Sequence, residues 1–463
     1  MDALSLSVIA EFAHGVIASG DATTTISRIS TDSRTILPGD LFLPIRGDNF
    51  DGHRFVAQTA ERRAAGALVE QSWSGHVLES FAIIRVPDTL LAYQQIAAGY
   101  RRSLGLKVIA ITGSNGKTST KDFVAAVLAH RFRVTRTEGN FNNHVGLPRT
   151  ILEASADDEI AVWELGMNHP GEIALLARIA APDIAIITNI GIAHLEFMGS
   201  REAIALEKGS LAEAVGSGGT VILNADDPFS ETIARRTSAK IILAGIKSGS
   251  VRAEDIRQSA EGSEFTILEG AHRCRAQLPV PGLHMVQNAM LAIAAGRALG
   301  LSLEDCAAGL ASTPLTKARL QLRAIRGVQF LDDSYNANPE SMKAALRTLV
   351  ELEAEGQRLA VLGHMGELGA ESARGHAEVG ETAASLRLDH LITIGEIGAR
   401  IGEAARAAGL ERTTNVASAL EAAELLTEIT SPGDLVLVKG SRSARTELVL
   451  EEFESRAPAG AAL

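Results

Sequence analysis

The sequence predicts an α/β protein of three domains, and three observations carry that prediction. The chain has 463 residues, enough for about three units at roughly 100–200 residues per domain. Hydrophobic residues make up 46% of it but aromatic residues only 4%. The core must therefore be built from Ala, Leu, Ile and Val, which suits helices layered on buried parallel strands and argues against an all-β sandwich. Strand-like runs alternate with helical patterns along most of the length, the signature of mainly parallel sheets.

Taken in order, the first unit, 1–86, carries short strand-like runs, one just before Asp32 and one at 40–43. Turn signals at Pro38-Gly39 and Gly47-Asp48 punctuate them. The second unit, 87–316, opens on a helical pattern at 89–102. There 107–112 reads as a buried strand running into a glycine-rich loop and a helix. Strand-like runs recur at 160–165, 183–190, 220–224 and 240–244, and the more polar stretch 251–278 reads as a small antiparallel excursion. Near 314–318 a fresh alternation begins and opens the third unit, 317–463. It has a strand at 328–332, a helix at 340–354, strands at 358–362 and 391–394, two helical patterns, and a strand at 435–438. The Ala-rich end, 457–463, reads as a frayed tail.

With 44 Lys+Arg against 56 Asp+Glu, the formal charge is −12. That balance argues against wholesale binding of nucleic acid or an acidic membrane, and leaves room for a local basic pocket. Cys274 and Cys306 are the only cysteines, with no CxxC pair, which fits a reducing cytosol and offers no thiolate metal site. The N-terminus has no basic start followed by an apolar core, and no run approaches about 18 uninterrupted apolar residues. The chain reads as cytoplasmic, with no membrane insertion and no nucleic-acid partner.

The run Gly113-Ser114-Asn115-Gly116-Lys117-Thr118-Ser119 follows a strand and opens a helix. Backbone N–H groups and the helix start can converge there on phosphate oxygens, Lys117 adds a point charge, and Thr118 offers a hydroxyl to Mg²⁺. Ile111 stands where the longer GxxxxGK[ST] pattern has its first glycine, so the loop is a shorter variant. Gly113 to Ser119 are the expected nucleotide-phosphate contacts.

Further motifs follow the loop in order: Thr137-Glu-Gly-Asn140-Phe-Asn142-Asn143, Glu164-Leu-Gly-Met-Asn168-His-Pro170-Gly171-Glu172, and Thr188-Asn-Ile-Gly-Ile-Ala-His194-Leu-Glu196. Beyond them come Asp332-Asp333-Ser-Tyr335-Asn336-Ala-Asn338-Pro339-Glu-Ser341-Met342 and Leu362-Gly-His364-Met-Gly-Glu-Leu-Gly369. With Thr31-Asp-Ser33-Arg34 and Asp51-Gly-His53 near the start, they resemble the Mur ligases of peptidoglycan synthesis over nearly the whole chain. The runs TEGNFNN, ELGMNHPGEI and DDSYNANPESM point to the branch that adds a dipeptide.

The resemblance implies an N-terminal UDP-sugar-binding domain, a central P-loop-type ATPase domain with a mainly parallel sheet, and a C-terminal Rossmann-like domain that closes on ATP. It implies ATP-dependent joining of D-alanyl-D-alanine to UDP-N-acetylmuramoyl-tripeptide through an acyl phosphate, by a monomer using two Mg²⁺ ions. A sibling ligase adding the third residue, or a folylpolyglutamate-synthetase-like enzyme, is the alternative. Carried over residue by residue, Glu164 and His194 would be metal ligands with Thr118. Lys208 would be a further ligand after taking up CO₂ as a carbamate; otherwise it is a surface lysine paired with Glu207. Lys117 and Arg319 would act on the γ-phosphate, Asn288 on the base and Asp333 on the ribose. Ser33 and Arg34 would meet the UDP end, and Asn140, Asn143, Asn336 and Asn338 the remaining substrate. Two positions depart from the family pattern: Met285 replaces the first Asn of Gly-x-His-Asn-x-x-Asn, and His364 replaces an acidic residue. The resemblance assigns neither a role.

Overall fold

The computed structural model describes residues 1–47, 49–77, 80–314 and 316–456. The expected turn residue Asp48 and the tail 457–463 lie outside the described residues. Three sheets organise the chain. The first has five strands in the order Val16–Ser19, Ala82–Val86, Gly66–Glu70, Leu41–Phe42 and Ile29–Ser30; only its first pair is antiparallel. The second has nine, in the order Val134–Arg136, Ile160–Glu164, Lys107–Thr112, Ile184–Ile187, Thr220–Asn224, Lys240–Gly245, Val251–Ser259, Gly262–Glu269 and His272–Leu278. Its first seven strands run parallel, and the last two add an antiparallel meander that continues the same sheet. The third has six: Gln321–Ile325, Val328–Asp333, Leu435–Lys439, Arg358–Leu362, His390–Ile394 and Thr413–Val416, antiparallel only at the first pair.

The central strand Lys107–Thr112 shows why the sheet is parallel. Val108, Ile109, Ala110 and Ile111 are all fully buried, so both faces need helices over them. One face is covered by the helices Lys117–Ala129 and Leu283–Ala298, and this core runs on to Leu331, Leu346 and Leu437 of the third unit. The opposite face packs Trp163, Leu176 and Tyr100 together with Leu6 and Ile9 from the N-terminal helix Leu6–Phe12.

Three local expectations change. The strand at 183–190 stops at Ile187, because Thr188 and Asn189 turn their side chains to the Asn115 carbonyl. The helix expected at 340–354 is Pro339–Glu351, started by Pro at its first turn and by a reciprocal cap between Asn338 and Ser341. The edge strand Thr413–Val416 is short and polar, a composition that protects a sheet edge and hides the strand from a search for apolar runs. Among the described residues no helix is long and apolar enough to cross a membrane.

Candidate active site

The carboxyl ends of the second and third sheets open on one cleft of about 1080 Å³, lined by the phosphate loop, Glu164, His194, Asn288, Arg319 and Asp333. Open α/β sheets place ligands at such ends. The loop's shape depends on two glycines. At Gly113, with φ +154°, a Cβ would fall 1.8 Å from Thr188 Oγ1; at Gly116, with φ +78°, it would fall 2.6 Å from the Asn288 amide. Gly116 is the N-cap of Lys117–Ala129 and has no side chain to cap it, which leaves first-turn N–H groups for an anion.

Lys117 Nζ donates to Gly113 O at 2.9 Å. Burial pushes its ammonium below the ordinary value; Glu164 opposes the shift and Arg319 adds to it. Ser114 Oγ accepts from Gly191 N at 2.8 Å, and Asn115 N donates to Asn189 Oδ1 at 2.9 Å. Ser114 and Asn115 therefore tie the loop to the segment that carries His194, while Ser119 is buried against the cleft.

Thr118 Oγ1 donates to Glu164 Oε2 at 2.9 Å and accepts from Arg319 Nη2 at 3.0 Å. Arg319, which precedes the third sheet, also lies over the Tyr335 ring at 4.2 Å. Asn142 Nδ2 donates to Glu164 Oε1 at 2.8 Å, and Glu164 N donates to Thr137 Oγ1 at 2.9 Å. The TEGNFNN run thus aims Glu164 from below and from the side. His194 sits in the left-handed region at φ 62°, and its Nδ1 is 2.7 Å from Glu367 Oε2 of the third unit. The histidine beside it holds the Glu367 carboxyl below its ordinary value.

Lys208 is not a surface residue. It is 1% exposed, and among the described residues its side chain makes no hydrogen bond or ion pair. Burial, and then the charge of Lys117, push its ammonium well below the ordinary lysine value. Glu207 faces elsewhere, accepting from Gly171 N and Ile173 N at 2.8 Å each, since neighbours on a helix do not share a face. The alternative, a surface lysine paired with Glu207, is therefore not what the fold shows.

Asn288 and Asp333 are both buried at the cleft. Lys439 Nζ donates to Asp333 Oδ2 at 2.5 Å and to Asn336 O at 2.9 Å. The nearby His284 is pushed by burial to about 4, against the opposing pull of Asp333.

The expected substrate contacts divide. Asn140, Asn143 and Asn336 are exposed at the cleft, with Asn143 Oδ1 accepting from Gly146 N at 2.8 Å. Asn338 also lines the cleft; its Oδ1 accepts from Ser341 N at 2.9 Å and its Nδ2 donates to Asn115 Oδ1 at 2.6 Å. Ser33 and Arg34 lie away from the cleft, and the Arg34 side chain is 86% exposed and paired with Asp32. Glu340, Glu367, Asn142 and Lys439 escaped the sequence reading as site residues. The first three lie inside the quoted motifs, and that position was the available signal.

The donors suit a hard cation. Glu164 is 3% exposed, meets neutral donors, and forms no ion pair among the described residues, which leaves a buried carboxylate in need of positive charge. With the Thr118 hydroxyl it offers oxygens of the kind Mg²⁺ prefers. No group of three or more His, Cys, Asp and Glu side chains gathers as a metal site among the described residues, so an ion here would complete its shell with phosphate oxygens and water.

A phosphate loop on a parallel sheet, with a third domain delivering an arginine to it, defines a three-domain nucleotide-binding protein. The comparisons narrow this. Three family models match, the Mur ligase middle domain at 111–296, the Mur ligase glutamate ligase domain at 318–442 and the Mur ligase family catalytic domain at 25–101. A Bacillus subtilis (strain 168) protein named UDP-N-acetylmuramoyl-tripeptide–D-alanyl-D-alanine ligase is 40% identical over 448 residues, covering 96% of this chain and 97% of its own. An Escherichia coli (strain K12) protein of the same name is 34% identical over 98% of this chain and 99% of its own. A crystal structure of MurF from Acinetobacter baumannii superposes with a TM-score of 0.91 at 33% identity, covering 98% of this chain and all of that one. The Thermotoga maritima MurF ligase in complex with ADP gives 0.83 at 28% identity, over 92% and 97%. The chain belongs to the Mur ligase family, in the group of UDP-N-acetylmuramoyl-tripeptide–D-alanyl-D-alanine ligases.

Proposed function

We propose that this chain joins D-alanyl-D-alanine to UDP-N-acetylmuramoyl-tripeptide with cleavage of ATP to ADP and phosphate. The observation that carries the reading is the meeting of Thr118, Glu164 and Arg319 over the phosphate loop. A carboxylate oxygen of the tripeptide attacks the γ-phosphorus, the bond to ADP breaks, and an acyl phosphate forms. The amine of the dipeptide then attacks the carbonyl carbon, phosphate leaves, and one proton is lost from the nitrogen.

The first step brings two anions together, so cationic groups aimed at the transferring phosphoryl are what lower the barrier. Lys117 from the phosphate loop and Arg319 from the third domain supply them, and Gly113–Ser119 hold the phosphates with backbone N–H groups. When bound, two Mg²⁺ ions would offset charge on the same oxygens, held by Thr118, Glu164, His194 and Lys208. Lys208 would serve as a carbamate: a neutral amine adds CO₂ and releases a proton, and a buried lysine without a partner is the form that can do so. Asn288 and Asp333 meet the base and ribose, and Asn140, Asn143, Asn336 and Asn338 face the muramoyl peptide. Ser33 and Arg34 take the UDP end. Residues 1–86 bind the UDP-muramoyl peptide, 87–316 the nucleotide, and 317–463 close over it and bind the dipeptide. The reading takes the enzyme to work as a monomer in the cytoplasm.

The test is phosphate release over a substrate panel. Release should require the UDP-muramoyl tripeptide and rise with D-alanyl-D-alanine but not with single amino acids. Better turnover with a shorter precursor and a single amino acid would replace this reading with that of a sibling ligase.

A further inference from the structure

The third domain touches the phosphate loop at a second place, distinct from Arg319. Glu340, in the first turn of the helix Pro339–Glu351, sends its carboxylate across the domain boundary. It accepts from Ile192 N with both oxygens at 3.2 Å and from Asn115 Nδ2 at 3.2 Å. Beside it, Asn338 Nδ2 donates to Asn115 Oδ1. The Asn115 amide is thus held at both ends by one helix start of the other domain.

The receiving side is a single connected piece. Gly191 N donates to Ser114 Oγ, Ser114 N donates to Asn189 O at 2.9 Å, and three residues beyond Gly191 stands His194. Gly191 makes room for the contact: a Cβ there would lie 2.1 Å from Glu340 Oε2. Gly191 has no positive φ, so a side chain there would act by displacing the Glu340 carboxylate and not by straining the backbone.

We propose that Glu340, assisted by Asn338, is a positioning residue that latches the third domain onto the phosphate loop and the 189–194 segment. Closing the latch would set Arg319 on Thr118 and Glu367 on His194 in the same movement, because all four side chains ride on the two bodies it joins. This rests on the phosphate-loop reading of Lys117, and that reading has its own control, since Lys117→Ala must abolish turnover whatever Glu340 does.

The experiment is a double-mutant cycle in the full chain with Glu340→Ala, Gly191→Ala and the pair. Glu340→Ala should lower kcat roughly ten- to hundredfold, the range for hydrogen bonds to a charged group. Its KM for the UDP-muramoyl tripeptide should stay within about twofold, and Glu340→Gln, which keeps one acceptor, should recover part of the loss. Gly191→Ala should reproduce the loss by pushing the carboxylate aside, and should cost nothing further in the Glu340→Ala background. Small-angle scattering with a non-hydrolysable ATP analogue should show Glu340→Ala more expanded than the parent, a readout that needs no turnover. Multiplicative losses in the cycle, a Glu340→Ala variant within twofold of the parent, equal radii of gyration, or a loss confined to KM would each overturn the proposal.

Discussion

At the scale of single residues, surroundings decide chemistry more than identity does. Lys208 has been moved out of water, next to another lysine, with nothing to pair with. A proposed carbamate follows from that setting, and Lys208→Ala should lose most activity and regain part of it when acetate is added, while the parent should not respond to acetate. A variant that stays fully active would return Lys208 to a packing role. Lys117→Ala should abolish ATP turnover while leaving the unfolding midpoint near that of the parent, because its ammonium bonds only a loop carbonyl. His284 gives a pH dependence. Its folded value is about 4 against about 6.5 for an unperturbed histidine, so the fold favours the neutral ring. The stability it contributes is fully present above about pH 6.5 and is lost as the pH falls toward 4. Thermal midpoints measured from pH 7 to 4 should therefore fall more steeply in the parent than in His284→Gln.

At the scale of elements, the helix Glu172–Ala180 starts at Gly171 with no cap of its own and borrows Glu207 from the helix Arg201–Glu213. Glu207→Ala should strand two backbone donors and cost about 1–3 kcal/mol, seen as a lower denaturant midpoint with an unchanged slope. The contrast between Glu207 and the phosphate loop explains what a sequence can reveal. Gly113 to Ser119 are contiguous, and phosphate chemistry requires those types at that spacing, so the loop, its strand and its helix were legible. The meander at 251–278 was legible through its more polar composition. Glu340 was not, because its partner Asn115 lies 225 positions away and nothing local distinguishes a latch from a first-turn glutamate. The cap made by Asn338 was hidden for a related reason: a capping asparagine and a ligand asparagine look alike until the helix start is seen. Lys208 was visible only by resemblance, since burial is a property of the fold.

At the scale of the molecule, the first unit is joined to the second through packed interior. The helix Leu6–Phe12 lies so close to Thr89–Ser103 that a Cβ on Gly99 would sit 2.5 Å from the Phe12 ring. Tyr100 Oη donates to Ala154 O at 2.7 Å and accepts from Asp2 N at 2.8 Å. Calorimetry should therefore find these two units melting in one transition, and Tyr100→Phe should lower that transition by weakening both sides of the joint.

The space at Gly191 has a consequence for how such chains diverge over generations. A lineage that keeps the Glu340 carboxylate in this contact has no room for a side chain at 191, whereas one that shortens 340 is released from that restriction. Substitutions at the two positions, far apart in the gene, should therefore arise together among relatives, with 340 changing first.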